Sequence, residues 1–446
     1  MHRSTFCLLA VATLAACHSY RADPVDLAGH AAAFARGDLH ALRPPTSTDG
    51  TVQPDDGLDR SEGRIVAMGC HPDCRIARAR LDQALAEEGQ AGRLDDPELS
   101  ADALRILESG PHRWLAGAGV SFTVPWSGRL AAARAVAGTK SHAALEAVLA
   151  AEAAAADAAD AAWVRWSGAR ERVTLLDAAC SDLTDLASIA DRLAAADALS
   201  RQGARVFTLE LRQREHDRAL ATAAVARTEA ALKQALGVHP AAKATLVPGL
   251  ELEPRLPADR RSALLPATPR VVAAVRAHAV ADAELRLELK KQWPDLVLGP
   301  RWEEEDAQPR LGLGLMLPLP FFAGNDAAIV RAESARTVAK TIAHAELERA
   351  THALAEAELR LAEAERSVHF VHDTLLPLGQ AQLADGRTLA AAGQLDPLLL
   401  LDAITRVHDT RLQLLDARLE RALAVVHLNT CTGIELPVPT AEEVRR

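Results

Sequence analysis

The chain has 446 residues, which as a prior allows two or three ordinary domains. Its 60 acidic and 50 basic residues leave a formal charge of −10, which argues against a nucleic-acid binder with its basic stripe. Beyond the N-terminus no apolar run is long enough to span a bilayer as a helix.

The N-terminus has the form of a targeting segment. His2 and Arg3 precede the apolar run Phe6–Ala16, which closes Leu14-Ala15-Ala16-Cys17. This is the pattern of a bacterial lipoprotein signal: residues 1–16 are removed and Cys17 is lipidated. An ordinary signal peptide with an incidental cysteine is the alternative. Residues 17–72 then read as an extended, lipid-anchored leader spotted with Pro, Gly and Asp. At its end, Cys70-His71-Pro72-Asp73-Cys74 invites three readings. A local disulfide between Cys70 and Cys74 leads, free thiols come next, and a metal pair is weakest because no second ligand pair follows.

Asp73 is placed to cap a helix over Cys74–Gln90. Strands are expected over about 97–107 and 115–124. In the second, Val120, Phe122 and Val124 alternate with Ser121 and Thr123. From Gly128 a proline-free, Ala-rich run predicts a helix to about residue 201, some 100 Å long at about 1.5 Å per residue. A turn at Arg201-Gln202-Gly203 sends the chain back as a helix over 205–237, completing a first half at 73–238. Residues 239–267 form a Pro-rich linker.

The second half, 268–436, repeats the scheme. Thr268 and Pro269 open a helix. Strands follow at about 295–302 and 310–319, and long helices at about 326–390 and 396–431, before a tail at 437–446. Leu311, Leu313, Leu315 and Leu317 put one greasy face on the last strand, with Gly312, Gly314 and Met316 between them. Leu347, Ala350, Leu354, Ala357, Leu361, Ala364, Val368, Val371 and Leu375 form a coiled-coil seam, with alanines that let helices approach closely. Leu412, Leu415, Leu419, Ala422 and Val426 give the returning helix its own seam.

Four tryptophans bracket strands: Trp114 and Trp126 around one, Trp293 and Trp302 around another. Their spacing fits a membrane-spanning strand of about 9–11 residues, with indoles at both interfaces. Lipid forbids an open sheet edge, so four strands alone are insufficient. Three chains would supply twelve strands, enough to enclose a lumen. The expected fold is therefore mainly α with a membrane β-barrel. Two repeats each give a hairpin and long antiparallel helices, and a homotrimer sets a twelve-stranded barrel on a helical barrel. No nucleotide, zinc or acyl-transfer motif occurs, and the 16 histidines lack ligand spacing. No enzyme activity, cofactor or nucleic-acid partner is expected.

The order of lipobox, helix, hairpin and long helix pair, given twice, resembles the TolC-type outer-membrane efflux proteins of lipoprotein type. The likeness covers nearly the whole mature chain. It rests on the junctions VPWSGR and LPLPFFAGND, on RQGARVFTLELRQ, and on AGQLDPLLLLDA. The PELS segment at Pro97–Ser100 is similar to the heavy-metal branch. The resemblance implies an outer-membrane trimer, in contact with lipid, that docks on a periplasmic adaptor and an inner-membrane transporter supplying the energy. It implies docking through turns containing Gly203, Ala204, Gly393, Gln394 and Leu395. It also implies acidic residues near a closed tip: Asp402 matches one position and Leu399 replaces the other. Asp396 adds a second candidate acid, and Arg387 a pairing partner. The alternatives are a periplasmic coiled-coil lipoprotein scaffold without a pore and the duct of a protein secretion system.

Overall fold

The computed structural model describes residues 20–35, 57–105, 107, 114–243, 245–305, 308–321, 324–391 and 397–433. Among them, helices α1 (Leu27–Ala35), α2 (Arg60–Cys70) and α3 (Pro72–Gln90) precede strands β1 (Glu98–Arg105) and β2 (Trp114–Val124). Helices α4 (Arg129–Ala195) and α5 (Arg201–Ala235) complete the first half. The second half runs α6 (Pro269–Lys290), β3 (Leu296–Glu305), β4 (Gln308–Met316) and α7 (Asp326–Phe370). A π-helical turn at Val371–Leu375 follows, then α8 (Leu376–Ala391) and α9 (Pro397–Thr432). No described helix is long and apolar enough to cross a membrane.

The axis of the molecule is α4, whose 67 residues span about 100 Å at about 1.5 Å per residue. It packs against α2, α3, α5, α6 and α9. Its middle is rich in alanine, which brings neighbouring backbones close, and two indoles fill the space that remains. Trp163 and Trp166 meet edge to face, 6.0 Å between ring centroids, and both are buried. Trp163 Nε1 donates to the Val247 carbonyl at 3.0 Å, so its one polar atom is satisfied.

The leader is not simply extended. Asp59 and Glu62 form a reciprocal capping box that starts α2. Val66, Ala67 and Met68 then bury one face of that helix. Asp160 of α4, itself buried, accepts from Arg60 at 3.1 Å, from Arg255 at 3.0 Å and from Arg64. The leader, the central helix and the linker between the halves therefore converge on one carboxylate. A short parallel bridge between Leu58 and Leu246 reinforces the junction.

Two other expectations are corrected. Cys70 and Cys74 are free thiols. Cys70 ends α2 and Cys74 lies in the first turn of α3, where it is turned into the core, and burial pushes its thiol pKa up to about 11. The turn between α4 and α5 also lies earlier than Arg201–Gly203. Asp197 takes the left-handed conformation with φ 56°, and the Ser200 side chain accepts from the Gly203 N–H at 3.0 Å as the N-cap of α5.

Candidate functional site

The strands form one antiparallel sheet in the order β1-β2-β3-β4. The two hairpins are joined by β2 pairing with β3, and the outer edges of β1 and β4 have no strand partner among the described residues.

Register sorts the sheet into two chemically opposite faces, because directly opposed residues share a side. Leu311, Leu313 and Leu315 of β4 stand opposite Trp302, Pro300 and Leu298 of β3. Trp302 and Leu298 in turn face Ala118 and Phe122 of β2. Ala116, Ala118 and Val120 face Ala103, Ala101 and Leu99 of β1. Four strands thus agree on one apolar face. It is open: Leu311, Leu313 and Leu315 are 80%, 76% and 70% exposed. An uncovered apolar face of this extent marks a surface made for a non-aqueous or protein neighbour.

The reverse face carries Ser100 and Asp102 of β1, Gly117, Gly119, Ser121 and Thr123 of β2, and Arg301 and Glu303 of β3. On β4 it carries Arg310, Gly312 and Gly314. Arg301 Nη2 lies 3.4 Å from Asp102, and its Nε lies 2.5 Å from Glu303. Sequence patterning predicted the apolar face of β4 but not this charged network, which spans strands from both hairpins.

The tryptophans mark the two ends of the sheet. Trp126 and Trp293 meet edge to face at 5.7 Å where the strands run into helices, and Trp126 Nε1 donates to the Pro294 carbonyl at 2.8 Å. Trp114 and Trp302 lie toward the opposite end, on neighbouring strands. All four are exposed. The expected pairs along each strand are thus arranged across strands as two girdles.

The junction motifs now have a physical reading. Gly128, with φ 80°, turns the chain from β2 into α4, and Asn325, with φ 67°, does the same at the head of α7. Arg129 then binds Asp295 at 2.8 Å and Asp95 at 2.7 Å, tying the approaches to β3 and β1 together. The Asp295 hydrogen bond leads in raising the Arg129 pKa. Asn325 Nδ2 donates to Glu288 Oε2 at 2.8 Å. The Asn325 and Lys291 hydrogen bonds hold the Glu288 carboxyl below its ordinary range.

At the far end of the helices, Gly203 and Ala204 lie in the first turn of α5, with Ala204 buried in a cluster that includes Leu183, Phe207, Leu401 and Ile404. Asp402 is exposed on α9 and accepts from Arg406 at 2.8 Å. Arg387 is exposed on α8 and pairs with no described acid. Cys17, Gly393, Gln394, Leu395 and Asp396 lie outside the described residues. Missed by sequence reading is His408, buried on α9, whose Nε2 lies 2.9 Å from Asp182 of α4. Among the described residues, no three His, Cys, Asp or Glu side chains gather as a metal site.

No protein-family model matches the sequence, and no curated protein matches it. Solved structures do. The outer-membrane channel OprN superimposes with a TM-score of 0.72 at 16% identity, over 93% of this chain and 98% of its own. CusC, described for transmembrane channel formation, gives 0.70 at 17% identity, over 88% and 97%. The open MtrE outer-membrane channel of Neisseria gonorrhoeae gives 0.70 at 16% identity, over 90% and 96%. The chain has the fold of these channel proteins, a helical body carrying a four-stranded sheet.

Proposed function

We propose that this protein is the outer-membrane duct of an efflux system, a trimer in which three four-stranded sheets close into a twelve-stranded barrel. The observation that carries the reading is the two-faced sheet whose two edges have no strand partner among the described residues. In lipid each edge amide left without a partner costs several kcal/mol, so an apolar sheet of this kind requires closure. Closure by copies of the same chain turns Leu311, Leu313 and Leu315 to lipid, and Asp102, Arg301 and Glu303 to an aqueous interior. The two tryptophan girdles fall at the two interfaces.

In this reading the protein performs no chemistry. Cys17 anchors the leader in the membrane, and α4, α5, α7, α8 and α9 project into the periplasm as a second tube. Its tip includes the 196–200 turn with Gly203 and Ala204; Gly393, Gln394 and Leu395, outside the described residues, are proposed as its second docking turn. That tip docks on a periplasmic adaptor and, through it, on an inner-membrane pump that supplies the energy. Asp402 and Arg387 lie toward this tip, where a ring of side chains would set access; Asp396, outside the described residues, is the third residue proposed for that role. Asp402 repeated around a threefold axis favours cations by its field.

Electron microscopy of the detergent-extracted full-length protein tests this. The expected particle is threefold and hollow, with a body of about 100 Å or more, the length of α4 at about 1.5 Å per residue. A monomer or a solid rod that becomes soluble once Cys17 is replaced would favour the pore-less scaffold instead.

A further inference from the structure

The polar face of the sheet holds a charge network whose geometry is too specific to be incidental solvation. Arg301 of β3 reaches across β2 to Asp102 of β1, at 3.4 Å, while its Nε binds Glu303 of its own strand at 2.5 Å. Glu303 stands opposite Arg310 of β4. One level of the sheet therefore carries two carboxylates and two guanidinium groups distributed over three strands.

The strand crossed by the network supplies the space for it. Asp102 is opposite Gly117, and a Cβ on Gly117 would lie 2.3 Å from Asp102 Oδ2. Arg301 is opposite Gly119, where an added Cβ would lie 3.7 Å from Arg301 Cγ and 3.1 Å from Ser100 Oγ. The glycines of β2 let both charged side chains lie flat on the sheet and meet above it.

We infer that Arg301 is a specificity-determining residue of the duct: bound to Asp102 and Glu303, and with Arg310 beside Glu303, it completes the charge balance of the barrel wall and keeps the membrane-level lumen from acting as a cation filter. This inference rests on the duct reading, which turns this face inward. Three copies place three such networks at one height. Charge on a narrow, low-dielectric wall focuses the field on passing ions, so one uncompensated charge per copy changes the selectivity of the whole lumen. Selectivity is then set at two levels, at the helical tip by Asp402 and in the barrel by the balance around Arg301.

The test is the zero-current potential of the full-length protein in planar bilayers under a KCl gradient. Arg301→Gln unmasks one negative charge per copy, and the cation-over-anion permeability ratio is expected to rise by about 2–5-fold. Asp102→Asn leaves one positive charge in excess and shifts the ratio the opposite way. The double variant restores the charge balance and is expected to return close to the unsubstituted value. Normal conductance with an unchanged ratio in both single variants overturns the inference while leaving the duct intact, as does a shift of both in the same direction. An unsubstituted protein that forms no ion path overturns the duct reading and this inference with it. Should Arg301→Gln fail to assemble, Asp102→Asn alone decides through the sign of its shift.

Discussion

The two halves of the chain share an order of elements, yet their long helices are built for different tasks. Helix α4 runs unbroken for 67 residues and buries side chains along much of its length, among them Trp163, Val164, Trp166, Leu176, Leu183 and Ala190. Its counterpart α7 buries only Ile329, Leu354, Ala357, Leu361 and Ala364, and leaves Val330, Val338, Ile342, Leu359 and Phe370 exposed. It also does not continue as a single α-helix. At Val371–Leu375 the winding widens, and the Leu376 N–H reaches back five residues to the Val371 carbonyl. Pro377 follows immediately, and a proline at that point has no N–H to give and crowds the carbonyl four residues earlier. The π-turn relieves that conflict. The first repeat supplies a stiff, internally satisfied axis. The second supplies an exposed, jointed helix whose apolar outer face is uncovered in the single chain.

The largest effect should come from the axis. Trp163→Ala removes a fully buried indole and leaves the Val247 carbonyl without its donor. A loss of about 3–5 kcal/mol is expected, read as a drop in the urea midpoint. Leu359→Ala on α7, at a side chain 72% exposed in the single chain, should stay within about 0.5 kcal/mol if α7 faces solvent. A cost above about 1 kcal/mol at Leu359 would sharpen the contrast, because it would mean that another copy covers that face.

Asp160→Asn comes next. It withdraws the charge on which Arg60, Arg64 and Arg255 converge, leaving Asp157, 3.9 Å from Arg64 and Arg255, as the remaining carboxylate of the cluster. Breaking a buried pair of this kind costs about 3–5 kcal/mol, and part exposure of the arginines places the expected loss at the lower end. Limited proteolysis should then cut the leader around residues 57–70 first. Uniform digestion of all helices would show that the cluster does not specifically fasten the leader.

The smallest effect is a pH dependence at the contact between α4 and α9. Burial leads in depressing the His408 pKa below the ordinary 6.5, against the opposing influence of Asp182. Asp182 faces the ring from α4, Arg214 from α5, and Arg411 from its own helix. The unfolded chain takes up the proton more readily, so stability is fully present above about pH 6.5 and falls as the pH drops toward the depressed folded value. His408→Gln should flatten unfolding midpoints measured between pH 8 and pH 5. A slope unchanged by the substitution would assign the pH dependence to other groups.

Much of this architecture is legible in the residues. The alternation Leu311–Leu317 is a local pattern of period two, and the structure gives it an open apolar face. The long helices announce themselves through the absence of proline and through seams such as Leu354, Leu361 and Leu415. What escaped reading depends on contacts between distant segments. The β2–β3 pairing brings Phe122 opposite Leu298, and no local pattern encodes that register. The Arg301–Asp102 contact needs the same pairing. The role of Arg129 had a faint signal in its place directly after Gly128, but its partners Asp95 and Asp295 emerge only from the assembled sheet. The α4–α5 turn falls before Gly203 because Asp197 tolerates a left-handed backbone and Ser200 is a strong N-cap.

The pairing of β2 with β3 has a consequence for how the chain comes to be folded. The Trp126–Pro294 hydrogen bond closes a loop of 168 residues, an entropic cost of about 4–5 kcal/mol if the intervening chain were disordered. Packing α4, α5 and α6 first shortens that search, because these helices carry the ends of β2 and β3 toward each other. Closing the sheet across β2 and β3 therefore depends on the helical body on which it stands. A ribosome that has delivered only the first half leaves β2 with one neighbour and an apolar face uncovered. Until β3 arrives, that exposed strand is the segment of the nascent protein most in need of a chaperone.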